Sequence, residues 1–264
     1  MKNIPIIIQA RQSSKRLPSK VMTNFCSGLK MIEYQYNRLK NNYNNVVIAT
    51  STCNSDDEMC KYFEEKGIRY YRGSLNNVMK RLLDCFDNLS EPAEEWFVRV
   101  GGDDPMVSIE GIEIMFDKLK HGYINKDIDM YYSSYDGGMM YGCAVEMFRV
   151  EKYREVVKYL NDQQEEESRK NFFQEHTKPA FLDQIVTNKL RIKTMRADIP
   201  EKYRVDGVWL SIDYPEDFLL VSHLATKVVS ENGFNYTHED LIRTIHKTNN
   251  RLFINKGIHD GFGE

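Results

Sequence analysis

The chain has 264 residues, of which 41% are hydrophobic and 28% charged, a composition typical of a globular protein with one large or two small domains. A formal net charge of −3 argues against the basic surface of a nucleic-acid-binding protein, and no run approaches the ~18–20 apolar residues that a membrane-spanning helix needs. The five cysteines are odd in number and lack a Cys-x-x-Cys spacing, so they indicate neither a disulfide framework nor a zinc site. We therefore expect reduced thiols, a cytoplasmic location, and neither nucleic acid nor a membrane as a partner.

The first half of the chain alternates short apolar runs with amphipathic stretches. The spacing of Ile112, Met115, Phe116 and Leu119, for example, predicts one apolar helix face. The apolar runs predict strands at residues 4–10, 45–50, 68–72, 96–100 and 128–133. Continuous apolar strands that alternate with helices predict an α/β fold of three layers, with a mostly parallel sheet covered on both sides.

The second half of the chain is less regular. Its patterns predict helices at residues 150–160, 215–229 and 237–247, and strands at 191–196 and 205–212. Residues 161–176 begin as a highly charged stretch, which we interpret as solvated surface. No linker or internal repeat stands out. We therefore predict a single domain over residues 1–264, elaborated at about 134–204.

The first predicted strand runs directly into a basic loop, residues 10–20, ARQSSKRLPSK. This loop contains no glycine, which excludes the phosphate-binding patterns GxxxxGK[ST] and GxGxxG. Ligands of open α/β sheets lie beyond the carboxyl ends of the strands. Cations and hydroxyl groups at such a position can surround a polyphosphate, although an exposed basic turn is the alternative. The loop supplies Arg11, Ser13, Ser14, Lys15, Arg16 and Lys20.

Carboxylates follow two further predicted strands. In VRVGGDDPMV, residues 98–107, two glycines are followed by Asp103 and Asp104, and in WLSIDYPEDF, residues 209–218, Asp213 precedes a helix. Carboxylates that face a basic loop across a sheet edge would suit Mg²⁺ placed between them and phosphate groups. The alternatives are a plain Asp-Pro turn for the first segment and a helix cap for Asp213.

Together these three segments resemble the cytidylyltransferase family, which includes CMP-Kdo synthetases, acylneuraminate cytidylyltransferases and spore-coat polysaccharide biosynthesis proteins. The family's A-R-x-x-S-x-R-L-P-x-K pattern is matched by residues 10–20, its G-D-x-P turn by GGDDP, residues 101–105, and its V-D-x-P-E-D pattern by IDYPED, residues 212–217. Segments at 31–40, 46–51, 71–81, 146–153 and 175–179 extend the resemblance, in order, over nearly the whole chain.

The resemblance implies the nucleotide-diphospho-sugar transferase fold, which is GT-A-like, with residues 134–204 on the side of the acceptor or of a dimer interface. It also implies CTP as substrate, Mg²⁺ as cofactor and a cytidylyl transfer, in which CMP passes from CTP to a small anionic acceptor and pyrophosphate leaves. A homodimer is the expected assembly.

The resemblance also implies roles for individual residues. Catalysis would involve Arg11, Arg16, Lys20 and Asp103. Mg²⁺ would be held by Asp103 and Asp213. The nucleotide would be bound by Ala10, Arg11, Ser13, Ser14, Arg16, Lys20, Arg72, Ser74 and Asn77. The acceptor would be bound by Tyr132, Glu146, Glu175, His176 and Lys178, although His176 could equally be a packing residue.

Departures from the family pattern leave the acceptor open. Ser19 replaces a usual glycine, Ala144 replaces an acid, and Lys178 replaces an apolar residue or threonine. The candidate acceptors are a sugar acid, a phosphate and a phosphonate, in the synthesis of a surface polysaccharide or glycoconjugate. The alternative from another class is a glycosyltransferase of the same fold that uses a nucleotide sugar, with Asp103 and Asp104 on Mn²⁺. A non-catalytic nucleotide sensor is a further alternative.

Overall fold

The computed structural model describes residues 3–14, 16–89, 95–124, 127–162 and 167–249, together with residues 255, 258 and 259. Its strands are β1 (Ile6–Gln9), β2 (Asn24–Cys26), β3 (Leu29–Lys30), β4 (Val46–Ser51), β5 (Tyr70–Gly73), β6 (Trp96–Gly101), β7 (Met130–Tyr132), β8 (Glu146–Arg149) and β9 (Thr194–Arg196). Its α-helices are α1 (Met31–Lys40), α2 (Asp57–Lys66), α3 (Val78–Asp87), α4 (Ile109–Lys120), α5 (Val150–Asp162), α6 (Glu167–Glu175), α7 (Thr177–Leu182), α8 (Gln184–Leu190), α9 (Pro215–Asn232) and α10 (His238–Lys247).

A mostly parallel sheet organises the molecule, in the order β5-β4-β1-β6-β8-β7-β9. Strand β8 runs antiparallel to both of its neighbours, β6 and β7, whereas β1 is parallel to β4 and β6. Strands β2 and β3 form a separate antiparallel pair. The α/β fold with a mostly parallel sheet is therefore confirmed.

Helices cover both faces of the sheet, as the continuous apolar strands predict. Ile6 and Ile8 of β1 face one core, with the helices α1, α2, α4, α9 and α10. Ile7 faces the other core, with α3, α5, α6, α7 and α8. All three isoleucines are completely buried. Alternate side chains of the central strand thus pack against opposite layers.

Most of the predicted elements are present, with shifted ends. The predicted strands at 128–133 and 191–196 shorten to β7 and β9, and the predicted helix at 237–247 begins with a capping box of Thr237 and Asp240. The prediction of a strand at 205–212 is wrong. A turn around Gly207, whose φ is +71°, interrupts this segment, and only Trp209 forms a bridge, with Tyr141.

The region at 134–204 contributes more to the sheet than its irregular pattern indicates. It supplies the antiparallel strand β8 and the edge strand β9, as well as helices α5 to α8. Of the stretch interpreted as solvated surface, residues 163–166 lie outside the described residues, and the rest includes helix α6. In α6, Phe173 is buried against the core, so this stretch is only partly surface.

Candidate active site

The basic loop after β1 is anchored by a buried carboxylate. Asp56, which is completely buried, accepts hydrogen bonds from the amide of Gln12 (2.9 Å), the hydroxyl of Thr50 (2.9 Å) and the amide of Ser51 (3.1 Å). A buried carboxylate with several donors is well stabilised. The start of the loop is therefore fixed to the carboxyl end of β4, next to β1.

Each described cation among those predicted in the loop is paired with an acid. Arg11 contacts Glu175 (Nη2 to Oε1, 2.6 Å), and Arg16 contacts Asp213 (Nη2 to Oδ1, 2.6 Å). The Lys20 ammonium lies 3.4 Å from Asp103 Oδ2 and 3.6 Å from Asp213 Oδ1, and also donates to the carbonyl of Ile212. Lys15 lies outside the described residues.

The turn after β6 reaches this loop because it contains glycine. The Gly102 amide donates to Gln9 O (2.8 Å), and a Cβ on Gly102 would lie 2.7 Å from the same oxygen and 3.0 Å from Ala10 Cβ. A larger residue would therefore push the turn away from β1. The close approach sets Asp103 beside the loop.

Asp213 is held in place by the first turn of helix α9. The Asp217 carboxylate, completely buried, accepts hydrogen bonds from the amides of Asp213 (2.9 Å) and Tyr214 (2.8 Å) and also from the side chains of Asn255 (2.9 Å) and His259 (2.8 Å). The Ile212 amide donates to Asp103 O (2.9 Å). The two acidic turns, distant in sequence, are thus joined directly.

A cleft of about 420 Å³ opens where these segments meet. Predicted site residues that line it are Ala10, Arg11, Ser14, Arg16, Lys20, Asp103, Glu175, His176 and Asp213. Ser13 lies in the same loop but is exposed and does not line the cleft. The structure therefore brings the predicted phosphate-binding cations and the predicted metal ligands to one surface.

The predicted nucleoside residues lie outside this lining. Arg72 donates to Ser51 O (2.9 Å) and pairs with Asp57 (2.6 Å). The Ser74 hydroxyl accepts from the Asn77 amide (3.0 Å), and Asn77 caps helix α3. These contacts build the turn that follows β5, and the nucleoside roles of Arg72, Ser74 and Asn77 stay predictions.

A second cavity, of about 160 Å³, adjoins the cleft. Its lining includes the predicted acceptor residues Glu146 and Lys178. The Lys178 ammonium lies 4.3 Å from the centre of the Tyr132 ring, and burial lowers its pKa although Glu146 opposes this shift. Tyr132 thus touches this site through Lys178, whereas Glu175 and His176 face the cleft.

One polar residue of these cavities, Arg99, was missed by the sequence analysis, and Asp104 was assigned a role only in the glycosyltransferase alternative. Arg99 pairs with Glu146 (3.2 Å), and burial, which lowers its pKa, is outweighed by Glu146, Asp103 and Asp104, so its pKa is raised. Burial and then the charge of Asp103 raise the pKa of Asp104 to about 7. A signal was present for Arg99, since it is the only charged residue in the otherwise apolar run WFVRV, residues 96–100.

The acidic pair fits a magnesium ion that retains other ligands. Asp103 and Asp213 both lie within 3.6 Å of one cation, the Lys20 ammonium. Across the described ranges, no group of three or more His, Cys, Asp or Glu residues could hold a metal ion by itself. Mg²⁺ commonly uses one or two carboxylates and takes its remaining ligands from water and substrate phosphates, so two acids beside a phosphate-binding loop suit it.

Comparison with known proteins gives the family. A family model described as Cytidylyltransferase matches residues 5–233. The chain belongs to the cytidylyltransferase family. As a member of it, the protein is a CTP-dependent nucleotidyltransferase, which argues against the glycosyltransferase alternative.

Three relatives and one solved structure illustrate this membership of the cytidylyltransferase family. An uncharacterized protein of Methanocaldococcus jannaschii is 28% identical over 221 residues, covering 83% of this chain and 81% of the relative. The spore coat polysaccharide biosynthesis protein SpsF of Bacillus subtilis is 31% identical over 121 residues, 44% of this chain and 49% of SpsF. The 3-deoxy-manno-octulosonate cytidylyltransferase of Francisella tularensis is 32% identical over 114 residues, 43% of this chain and 44% of that enzyme. The matches to SpsF and to the Francisella enzyme thus span about half the length of each relative.

The solved structure, a cytidylyltransferase from Leptospira borgpetersenii, superposes with a TM-score of 0.74 at 24% identity, over 93% of this chain and 94% of that one. This likeness supports the nucleotide-sugar transferase-like fold. In the described part of the cytidylyltransferase chain, no helix combines the length and the apolar character needed to cross a membrane.

Proposed function

We propose that the protein transfers CMP from CTP to a small anionic acceptor and releases pyrophosphate. One observation carries this proposal: three cations of the opening loop face the same cleft, and each contacts an acid that is distant in sequence, namely Glu175, Asp103 or Asp213. A nucleotide's phosphate tail together with a divalent ion has the charges needed to replace these contacts.

The phosphate tail would be bound by the loop. Arg16 and Lys20 lie next to the acidic pair, and Arg11 lies at the Glu175 side of the cleft. These cations would stabilise the negative charge that develops as pyrophosphate leaves. Since no covalent enzyme intermediate is required, positioning and charge neutralisation lower the barrier to in-line attack on the α-phosphorus. Ala10, Ser13 and Ser14 would contact the nucleotide, and Arg72, Ser74 and Asn77 the base and ribose.

Mg²⁺ would be held by Asp103 and Asp213. When bound, it would supply neutralisation of phosphate charge. Two other residues position these ligands: the Asp217 carboxylate fixes the backbone of Asp213, and Gly102, which lacks a side chain, allows Asp103 to approach the loop.

The acceptor would occupy the second cavity and the adjoining rim of the cleft. Lys178 offers a cation there, Glu146 offers a carboxylate for hydroxyl groups, and Tyr132 supports Lys178 through its ring. Glu175 and His176 would border the acceptor from the cleft side. The similarity to a spore coat polysaccharide biosynthesis protein and to a 3-deoxy-manno-octulosonate cytidylyltransferase favours a sugar acid and a role in the synthesis of a surface polysaccharide or glycoconjugate, while a phosphate or phosphonate also suits the cavity's cations.

We infer one nucleotidyltransferase domain over residues 1–264, with about 134–204 on the acceptor or dimer side. We also infer a homodimer in the cytoplasm.

A pyrophosphate-release screen tests the proposed function. The four nucleoside triphosphates are each mixed with Mg²⁺ and a panel of sugar acids, phosphates and phosphonates. We expect release only with CTP and only with acceptors of one anionic class, and we expect the Asp103→Asn variant to be inactive in the productive mixture. Absence of pyrophosphate release with CTP across the whole panel, in a protein that also fails to bind CTP·Mg²⁺ by calorimetry, would refute the proposal.

A further inference from the structure

The cleft and the second cavity share one boundary residue. Among the residues that the structure describes, Arg99 alone lines both. It lies on β6, next to β1 on one side and opposite Glu146 of β8 on the other. Its side chain is 23% exposed, so the guanidinium is held by the sheet but open to the two cavities.

The guanidinium is only partly engaged by the protein. Nε donates to Gln9 Oε1 (3.1 Å), and Nη1 donates to Glu146 Oε2 (3.2 Å). Within the described ranges, no group accepts a hydrogen bond from Nη2. Nε and Nη1 thus fix the orientation of the guanidinium, and Nη2 is available to donate hydrogen bonds to a ligand.

A second cation of the same cavity also lacks a hydrogen-bond acceptor. The Lys178 ammonium rests on the Tyr132 ring, and no other described residue bonds to it. Glu146 is the acid that most strongly raises the pKa of Lys178. Its carboxylate, however, already accepts hydrogen bonds from Arg99 and from the Thr177 hydroxyl (3.3 Å). Partly buried cations are expected to have partners, and here an anionic ligand would provide one.

We propose that Arg99, together with Lys178, anchors an anionic group of the acceptor. This group either contains the attacking oxygen or is bonded to the carbon that carries it. This rests on the proposed function. Arg99 marks the junction of the two cavities, and the attacking oxygen must lie at that junction to reach a phosphorus held over Asp103. The anchored group is therefore a carboxylate beside the attacking hydroxyl, or a phosphate or phosphonate whose own oxygen attacks.

The rest of the second cavity selects against further negative charge. Beyond the junction, Glu146 and Asp104 line it together with Ser134, Tyr135 and Tyr141. The hydroxyl groups can bind either a polar or an anionic group, but the two carboxylates bind hydroxyl or amino groups of a ligand and repel a second oxyanion. The acceptor is thus anionic at its reacting end and polar or amino-bearing at the other.

Binding and kinetics of Arg99 variants test the proposal. The variants are Arg99→Gln and Arg99→Lys, and the matched control is Arg149→Gln. Arg149 lies at the other end of the same pair of strands, opposite Trp96 in register, with its guanidinium over the Trp96 ring and its side chain 19% exposed. Isothermal calorimetry measures binding of CTP·Mg²⁺, and then of 3-deoxy-manno-octulosonate or methylphosphonate in the presence of CMP and Mg²⁺.

We expect Arg99→Gln to weaken binding of the anionic probe, and kcat/KM for the corresponding acceptor, by about 100-fold or more, as truncation of a charged anchor does. We expect Arg99→Lys to be intermediate, and Arg149→Gln to match the wild type. CTP·Mg²⁺ affinity should stay within about threefold, because the loop cations bind the phosphates. A double variant, Arg99→Gln with Glu146→Gln, avoids an unpaired acid if the single variant does not fold.

Uncharged analogues of the two probes provide a second test. The C1 amide of 3-deoxy-manno-octulosonate and the dimethyl ester of methylphosphonate both lack the oxyanion, and the amide also keeps the shape of the acid, so we expect neither to bind. Equal binding of the neutral and anionic probes, no binding of any anionic probe to the wild type, or unchanged probe binding by Arg99→Gln would each overturn the proposal. Failure to bind CTP·Mg²⁺ would instead count against the proposed function, so the two failures are distinguishable.

Discussion

Replacing Lys20 with methionine removes a cation that contacts both Asp103 and Asp213. Methionine keeps the length and much of the apolar stem of the lysine, whose side chain is only 8% exposed. The substitution therefore tests the charge rather than the packing. We expect a large loss of turnover with a small change in the fold.

The structure sets the size of the effect. At separations of 3.4 and 3.6 Å, each Lys20–carboxylate attraction is about 5 kcal/mol at an effective dielectric constant of ~20. Solvent screens part of this, because the Asp103 side chain is 40% exposed. The same ammonium would bind phosphate oxygens in the occupied cleft, where loss of one charge-stabilising donor typically costs ~2.7–4 kcal/mol. We therefore expect kcat to fall by about 10² to 10³.

Pyrophosphate release with CTP, Mg²⁺ and a productive acceptor measures the loss, and calorimetry measures CTP·Mg²⁺ affinity. Lys152→Met is the control, because Lys152, like Lys20, contacts a carboxylate and a backbone carbonyl, but it has one carboxylate partner and lies outside the cleft lining. Thermal unfolding compares the folding of both variants. A Lys20→Met protein with wild-type turnover and wild-type CTP affinity would refute the assignment of the loop.

Three further predictions concern the acids and one histidine. Asp103→Asn should lower turnover more than Lys20→Met and raise the Mg²⁺ concentration needed for half-maximal rate, and near-normal turnover at low Mg²⁺ would contradict the metal assignment. Glu175→Gln should tighten CTP·Mg²⁺ binding by up to about fivefold in calorimetry. In this variant Arg11 can bind the nucleotide without first breaking a partly exposed ion pair, which is worth roughly 0.2–1 kcal/mol. A tenfold loss of CTP·Mg²⁺ affinity would show that Glu175 has a different role. His238 is 1% exposed, and burial lowers its pKa from 6.5. The unfolded chain therefore takes up a proton that the folded protein excludes, so the free energy of unfolding falls as pH drops below about 6.5. His238→Gln should flatten this dependence in urea titrations between pH 5 and 7.5, and an unchanged slope would argue against a neutral buried His238.

The central part of the fold could be predicted because local and tertiary signals agree there. The run of residues 4–10 is apolar on both faces, as a strand buried between two helical layers must be. The loop after it and the turn at 101–105 follow from strand order, since parallel strands deliver their carboxyl ends to the same edge. The contact of Lys20 with Asp103 agrees with that prediction.

Other features depend on contacts that no local pattern encodes. Strand β8 is four residues long and antiparallel, and its two neighbours, rather than its own periodicity, define it. The apolar residues at 208–212 indicated a strand, but they are buried by packing instead of by ladder pairing. Asp56 and Arg99 have partners distant in sequence or in another element, so their roles could not be read from spacing.

The mutual neutralisation of acids and bases in the cleft has a consequence for what can enter it. An anion that binds alone must replace the carboxylates that pair with Arg11, Arg16 and Lys20, and those carboxylates are then left without a counter-charge. A divalent ion that binds alone leaves the three cations unpaired instead. A nucleotide that arrives with its metal satisfies both groups in one event. Such an exchange makes free phosphate and free magnesium poor competitors, so the site can stay receptive in a solution crowded with both.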